Sequence, residues 1–316
     1  MKTVLVTGGR GLVGSALYDL YKNNYELNEK YYMVFINSSH ADLRDYEATL
    51  KIFLVFKPQI VIHLAANVGG LFKNMKKKVN MLEDNLKINM NVIRCSYETG
   101  VKQCISCLST CIFPDAVKYP ITEDQLHNGP PHPSNDAYAY AKRFIDIQNR
   151  AYNEQYGLNY FCIIPCNIYG RHDNFSLKNG HVLPALIHRC YLAKKDKQPF
   201  LVKGTGKPLR QFIHNEDLAK YIMKILDSYN GTDNIIISSN PEDEVSIRDV
   251  ALEIARNFDY EDHIQFDDSF ADGQYKKTVS NKRLAGVLGK LKFTNINMGI
   301  KDTVQWFVQN YDKARK

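Results

Sequence analysis

Residues 2–24 read KTVLVTGGRGLVGSALYDLYKNN. The stretch changes character twice. Val4, Leu5 and Val6 form a short apolar run of the kind found in a strand buried on both faces. Leu12, Val13, Ala16, Leu17 and Leu20 recur at helical spacing. Between them lies Gly8-x-x-Gly11-x-x-Gly14. Glycine is needed where a chain turns sharply and where backbone must approach a pyrophosphate. The helix that follows supplies free N–H groups and the positive end of its dipole. A glycine triplet alone says little. One that follows a strand and opens a helix predicts a dinucleotide site.

The alternation continues. YMVFINSS at 32–39, IVIHLAA at 60–66 and QCISCLS at 103–109 read as strands. EATLKIFLVFK at 47–57 and EDNLKINMNVIRCSYETG at 83–100 read as helices, the latter ending at a capping Gly100. Such a series implies an α/β fold: a Rossmann-type doubly wound parallel sheet with right-handed crossovers. After about residue 170 the patterns become shorter and mixed. Residues 1–170 are therefore expected to form the nucleotide-binding domain, with later segments returning to it. Residues 171–316 are expected to form mainly a smaller mixed α/β domain for substrate.

Cofactor type is written after the second strand. NAD sites usually place an acid there for the ribose hydroxyls. Here Asn37, Ser38 and Ser39 stand instead, and the first carboxylate is Asp42. An uncharged pocket beside Arg10 admits a 2′-phosphate, which favours NADP. Asp42 and Leu43 then fall on the adenine side. The candidate cofactor set is Gly8, Arg10, Gly11, Leu12, Val13 and Gly14 at the turn, Ser38, Ser39, Asp42 and Leu43 beyond the second strand, Ala65 and Ala66 beyond the third, and Tyr138 and Lys142 further along the chain.

Composition narrows the class. The chain has 316 residues, 44% hydrophobic and 24% charged, and no apolar stretch approaches the ~18 residues of a membrane span. The apolar run in MKTVLVTGG is too short for a signal-peptide core, so the cytoplasm is the expected setting. Seven cysteines, an odd number, argue against a disulfide framework. A net charge of +7 without a long basic tract fits polyanionic small ligands better than nucleic acid. Lys76–Lys78 reads as a solvated helix face or loop.

DAYAYAKRFIDIQNRAYNEQYG at 136–157 is a strong helical pattern. It places Tyr138 and Lys142 four apart, on one face. A neighbouring cation lowers a phenol's pKa and suits Tyr138 for proton transfer. Tyr140 lies about 160° from Lys142 around the helix and is the wrong tyrosine for this pairing. The helix comes one crossover after a strand that ends in Ser109.

Gly8-x-x-Gly11-x-x-Gly14, Ser109 and Tyr138-x-x-x-Lys142 together resemble the extended short-chain dehydrogenase/reductases acting on nucleotide sugars. PCNIYG at 165–170 resembles that family's Pro-x-Asn-x-Tyr-Gly passage into the substrate domain. The resemblance implies that Ser109 hydrogen-bonds the substrate oxygen, that Tyr138 exchanges its proton, and that Lys142 holds the nicotinamide ribose. It also implies a homodimer whose interface includes the helix with the tyrosine.

Cys111 follows Ser109 in LSTCIFPD. Related 4,6-dehydratases carry Thr-Asp-Glu there, so dehydration lacks its acid pair in this chain. A metal role is disfavoured because Cys104 and Cys107 alternate to opposite faces of a strand and cannot readily share a tetrahedral centre; no metal is expected. Cys111 lies past the strand's carboxyl end, where doubly wound sheets bind ligands. A tuned thiol can carry a proton, but it serves one face of a carbon only. Inversion needs a second group, and His181 is the candidate. CLSTCIFP, ITEDQLHNGPPHPSNDAYAYAK, HDNF, GHVLPALIHR, RQFIH and DGQYKKT resemble the branch of the family that epimerises GDP-4-keto-6-deoxy-D-mannose at C3 and C5 and reduces it at C4. That resemblance implies Cys111 and His181 as the epimerisation pair.

Asn167 is expected at the sugar or nicotinamide. Arg189, Lys203, Arg210, Asp272 and Lys277 are the candidates around the nucleoside diphosphate, where basic side chains give charge-assisted hydrogen bonds. Lys203 stands where family members often have tryptophan, and Arg171 where proline is common. Two other readings compete: an enzyme for another nucleotide-linked 4-keto-6-deoxy sugar, and a non-catalytic NADP-binding regulator. The second would be expected to lose part of the Ser–Tyr–Lys set, which this chain retains.

Overall fold

The structure is a computed structural model that describes residues 1–316 except Ala271 and Gly273, and except the side chains of Leu71 and Phe72. The first half runs β1 (Lys2–Thr7), α1 (Leu12–Lys22), α2 (Tyr25–Lys30), β2 (Tyr31–Phe35), α3 (Tyr46–Phe56), β3 (Ile60–His63), α4 (Leu71–Lys76), α5 (Lys78–Glu98), β4 (Gln103–Cys107), α6 (Asp136–Tyr156) and β5 (Asn159–Pro165). The second half runs β6 (Asn167–Tyr169), α7 (Val182–Asp196), β7 (Phe200–Lys203), β8 (Leu209–Arg210), β9 (Phe212–His214), α8 (Asn215–Ser228) and β10 (Ile235–Ile237). It closes with β11 (Val245–Ser246), α9 (Ile247–Arg256), β12 (Ile264–Asp267), α10 (Lys282–Leu288) and α11 (Ile296–Gln309).

Six strands form one parallel sheet in the order β10-β5-β4-β3-β1-β2. The order reverses at β1, which pairs with both β2 and β3, and such a reversal opens a crevice at the strands' carboxyl ends. The strands are buried on both faces because helices cover each. Val4, Val6, Ile62 and Ile105 pack in one apolar cluster, whereas Leu5, Val61 and Cys104 pack in the cluster on the opposite face. Cys107 packs against the first cluster, so the two thiols do face opposite ways.

The chain returns to this sheet late. After the small β6–β9 pair, α8 packs against α1 and β10 joins β5 in parallel register. The C-terminal unit has its own apolar cluster, in which Leu186 and Ile187 of α7, Ile254 of α9 and Phe307 of α11 meet. β7 pairs with β12 and β8 with β11. Ser246 starts α9 through a reciprocal capping box with Asp249. The last helix begins at Ile296 and stops at Gln309. The tail then turns back, and the Arg315 carbonyl accepts from Phe175 N–H. Lys78 is not merely solvated: its ammonium bonds Asp136 at 2.9 Å and the Pro133 carbonyl, tying the start of α5 to the start of α6.

Candidate active site

The cofactor turn is set by contact distances. Gly8 has φ +70°, and a Cβ there would lie 2.9 Å from Ala65 N. A Cβ on Gly14 would lie 2.4 Å from the Gly8 carbonyl oxygen, so any side chain would force the turn off the helix. Gly11 caps α1 and donates back to the Gly8 carbonyl at 2.8 Å. Leu12 and Val13 open α1. The cradle left by these glycines suits a pyrophosphate at a helix N-terminus.

Thr7 locks the neighbouring strand end in place. Its Oγ1 accepts from the backbone N–H of Leu64 and Ala65, each at 3.1 Å, which holds the Ala65–Ala66 segment beside the turn. His63 Nε2 faces Asn89 Oδ1 at 3.1 Å, and Asn89 Nδ2 donates to the Ala141 carbonyl. Since Oδ1 can only accept, Nε2 carries the proton. Nδ1 then accepts from the Thr7 hydroxyl at 2.8 Å. Burial, with help from the Lys142 charge, drives the His63 pKa down to about 3, which keeps this chain neutral.

At the adenosine end, Ser38 and Ser39 are exposed in the turn after β2, and Arg10 of the glycine turn is also exposed. Ser39 donates its N–H and hydroxyl to Asn37 Oδ1 at 2.9 and 2.6 Å, so part of its role is turn chemistry. Asp42 is paired with Arg44 at 2.7 Å, which holds its carboxyl down to about 2. Arg44 also reaches Asp84 at 3.3 Å. Sequence reading missed this partner, although Arg44 stands only two residues along. Leu43 is half-buried against the apolar cluster on that face of the sheet, and its carbonyl accepts from Asn91.

Beyond β4 the chain enters a short 3-10 turn, Thr110–Ile112, capped by Ser109. Ser109 Oγ accepts from Cys111 N–H at a long 3.5 Å. This turn packs on α6, the helix of Tyr138 and Lys142. Tyr138 is 9% exposed and Lys142 2%, while Tyr140 points outward at 48%. Lys142 Nζ donates to the Cys107 carbonyl at 2.9 Å. Burial raises the Tyr138 phenol well above its usual value, and the nearby Cys111 and Cys107 add in the same direction. Burial also lowers Lys142. The expected lowering of the phenol is therefore not what the structure gives: desolvation raises it instead. Tyr138 stands protonated at neutral pH, the form required of a proton donor.

Residues of the second half reach the same crevice unequally. Lys277 is crowded by protein, which lowers its pKa, and it feels the charges of Cys111, Arg210 and Asp115. It is brought there by backbone bonds that stitch Thr278 and Ser280 to Ile121. Gly273 of the DGQYKKT segment lies outside the described residues. Arg210 donates to the adjacent Leu209 carbonyl at 2.6 Å, and burial lowers its pKa. Asp272 accepts from Thr205 N–H at 3.0 Å and from its hydroxyl at 2.6 Å. Asn167 spends its amide on the Gln211 carbonyl at 2.8 Å. Gln211 was not singled out from sequence, yet its buried side chain joins the Ser239 carbonyl to Val279. Arg189 reaches the Leu201 carbonyl at 3.3 Å, and Lys203 sits 4.3 Å over the Phe270 ring. His181 precedes α7 as its N-cap residue. It is exposed, and partial desolvation lowers its pKa.

Asp173 of the HDNF segment shows a cost. It is buried; one oxygen accepts from Asn174 N–H and the other has no partner among the described residues. Burial raises its pKa to about 7. A carboxyl raised in the folded state contributes fully below its unfolded pKa and loses that contribution as pH rises through about 7. Asp173→Asn is therefore expected to stabilise the fold at pH 8 by on the order of 2–4 kcal/mol, with the difference vanishing toward pH 4. Thermal unfolding of both proteins across that range checks it. Equal melting shifts at both ends would contradict it.

A glycine cradle for a pyrophosphate, with serine, tyrosine and lysine gathered at the same sheet's carboxyl edge, defines a nucleotide-dependent epimerase or reductase of the short-chain type. Residues 4–237 match the family described as the NAD dependent epimerase/dehydratase family. A GDP-L-fucose synthase of Dictyostelium discoideum is 53% identical over 315 residues, covering 100% of this chain and 98% of the relative. A probable GDP-L-fucose synthase of Drosophila melanogaster is 46% identical, covering 100% of both. The solved GDP-L-fucose synthetase of Naegleria fowleri bound to NADP superposes with a TM-score of 0.93 at 46% identity, covering 100% of this chain and 95% of that one. The chain belongs to the NAD dependent epimerase/dehydratase family and, within it, to the GDP-L-fucose synthases.

Proposed function

We propose that the protein converts GDP-4-keto-6-deoxy-D-mannose to GDP-L-fucose, inverting C3 and C5 and then reducing C4 with NADPH. The observation that carries this reading is the sharing of one crevice by two proton-transfer groups: the turn bearing Cys111 packs on the helix bearing Tyr138 and Lys142. The relatives named above, one of them solved with NADP, support it.

The 4-keto group acidifies the protons on C3 and C5. Cys111 removes each in turn, and the enolate charge gathers on O4. Ser109 and Tyr138 stabilise that oxygen. His181 returns a proton to the opposite face. Once both centres are inverted, Tyr138 protonates O4 as C4 is reduced. Bound NADPH supplies the hydride. Gly8, Gly11, Gly14, Leu12 and Val13 hold its pyrophosphate. Arg10, Ser38 and Ser39 take the 2′-phosphate, Asp42 and Leu43 lie toward the adenine, Ala65 and Ala66 line the path between, and Lys142 holds the nicotinamide ribose. Asn167 faces the sugar or nicotinamide, and Arg189, Lys203, Arg210, Asp272 and Lys277 surround the nucleoside diphosphate. One oxyanion site thus serves both reactions.

The Lys203–Phe270 pair favours a second reading, in which the base or sugar differs while the chemistry is kept. The protein acts as a homodimer through α5 and α6, where Leu82, Leu86, Phe144 and Ile147 line an apolar groove. No helix among the described residues is long and apolar enough to cross a membrane. All seven cysteines are free, in keeping with a reducing, cytoplasmic setting. The test is NADPH oxidation on addition of GDP-4-keto-6-deoxy-D-mannose, compared with its UDP- and dTDP-linked counterparts. Preference for the GDP sugar is expected; faster turnover of another would support the second reading.

A further inference from the structure

The chemistry assigned above does not use Arg143, which is 6% exposed on α6. Its Nε donates to the Ile112 carbonyl at 2.5 Å and its Nη1 to the Gly129 carbonyl at 2.7 Å, while Nη2 is buried without a partner among the described residues. Ile112 immediately follows Cys111 and ends the 3-10 turn, so its carbonyl has no partner within that turn. The turn's own bonds are longer than this, at 3.1 Å from Ile112 N–H to the Ser109 carbonyl and 3.4 Å from Phe113 N–H to the Thr110 carbonyl. The charge-assisted bond from Arg143 is the short one. Gly129 belongs to the segment that runs beside the turn, where Pro114 bridges Pro131 and Asp115 N–H donates to the Pro130 carbonyl. One guanidinium therefore clamps both loop segments to the helix that carries Tyr138.

A buried cation costs free energy that an apolar side chain at the same helical position would not. Packing alone does not call for arginine here. Two carbonyls held at fixed angles do, because the planar fork satisfies both at once. Burial lowers the Arg143 pKa, and Tyr140 and then Cys111 act in the opposite direction.

We propose that Arg143 is a positioning residue for the epimerisation half of the reaction, fixing the Cys111 turn relative to Tyr138. The inference rests on the function proposed above. Misplacing a reacting group by about 1 Å can cost about 10²-fold, and the loss should fall on the step that uses Cys111.

The experiment compares Arg143→Met and Arg143→Lys with the unaltered protein in two assays. One is deuterium uptake at C3 and C5 of GDP-4-keto-6-deoxy-D-mannose in D₂O. The other is NADP-dependent oxidation of GDP-L-fucose at C4, which moves no proton on C3 or C5. The methionine variant should lose about 10–100-fold in exchange kcat with KM little changed. It should keep C4 oxidation within about threefold. Lysine, which can satisfy one of the two carbonyls, should restore part of the exchange rate. If the methionine variant fails to fold, the lysine variant carries the same comparison. Unchanged exchange, equal losses in both assays, or no difference between lysine and methionine would overturn the role of Arg143. Unaltered protein inactive in both assays would overturn the functional reading itself, and this inference with it.

Discussion

Cys111→Ser is expected to lower deuterium uptake at C3 and C5 by about 10²–10⁴-fold, the usual contribution of a positioned general base. A serine hydroxyl fills nearly the same space, so the Thr110–Ile112 turn and its packing on α6 should survive. What changes is basicity, because a hydroxyl is far harder to ionise than a thiol. Ser109, Tyr138 and Lys142 remain, so hydride transfer to C4 should continue on the substrate as supplied. The product should then be a 6-deoxy sugar with C3 and C5 unchanged. Mass and NMR analysis of the sugar after reaction in D₂O reads both outcomes. Normal exchange in this variant would remove Cys111 from the mechanism.

Tyr138→Phe should depress reduction by about 10²–10⁴-fold. The phenol is raised by burial and stands protonated through the neutral range. Removing it takes away the donor to O4 and one of two groups on the enolate oxygen. Exchange at C3 and C5 should therefore fall too, but by less, since Ser109 still faces that oxygen. Steady-state NADPH oxidation, with thermal unfolding as a control, measures the effect. Turnover near that of the unaltered protein would refute the donor role. The pair of variants should split the two half-reactions in opposite senses, which a shared folding defect would not do.

The parts of this site visible in sequence are those fixed by neighbours along the chain. The Gly8–Gly14 turn is local: its glycines are required by contacts with Ala65 N and the Gly8 carbonyl. The Tyr138–Lys142 pairing follows from helical geometry, and α6 ends at Gly157 in the left-handed region as its pattern predicts. What was not legible depends on distant partners. Lys142 bonds the Cys107 carbonyl, 35 residues away, and burial reversed the expected direction for the phenol. β10 is three residues long, too short to carry a periodic signal, yet it completes the sheet. Gln211 and Arg143 act through backbone carbonyls, which leave no mark in a motif. Arg143 directly follows Lys142 on a buried stretch of helix; a charged residue where burial is expected was the available signal.

The electrostatics follow the same division. Asp42 was correctly seen as the first acid beyond β2, but its neutralisation by Arg44 required the turn's geometry. With that pair formed, the region beside Ser38 and Ser39 carries less opposing charge toward a phosphate than the sequence alone suggests.

The central claim is that one crevice performs both inversion and reduction. Its most direct test is to incubate the protein with NADPH and GDP-4-keto-6-deoxy-D-mannose and determine the configuration of the product at C3, C4 and C5. The account predicts GDP-L-fucose, formed as NADPH is oxidised. Properly folded protein that oxidises no NADPH, or a reduced product with C3 and C5 unaltered, would contradict it.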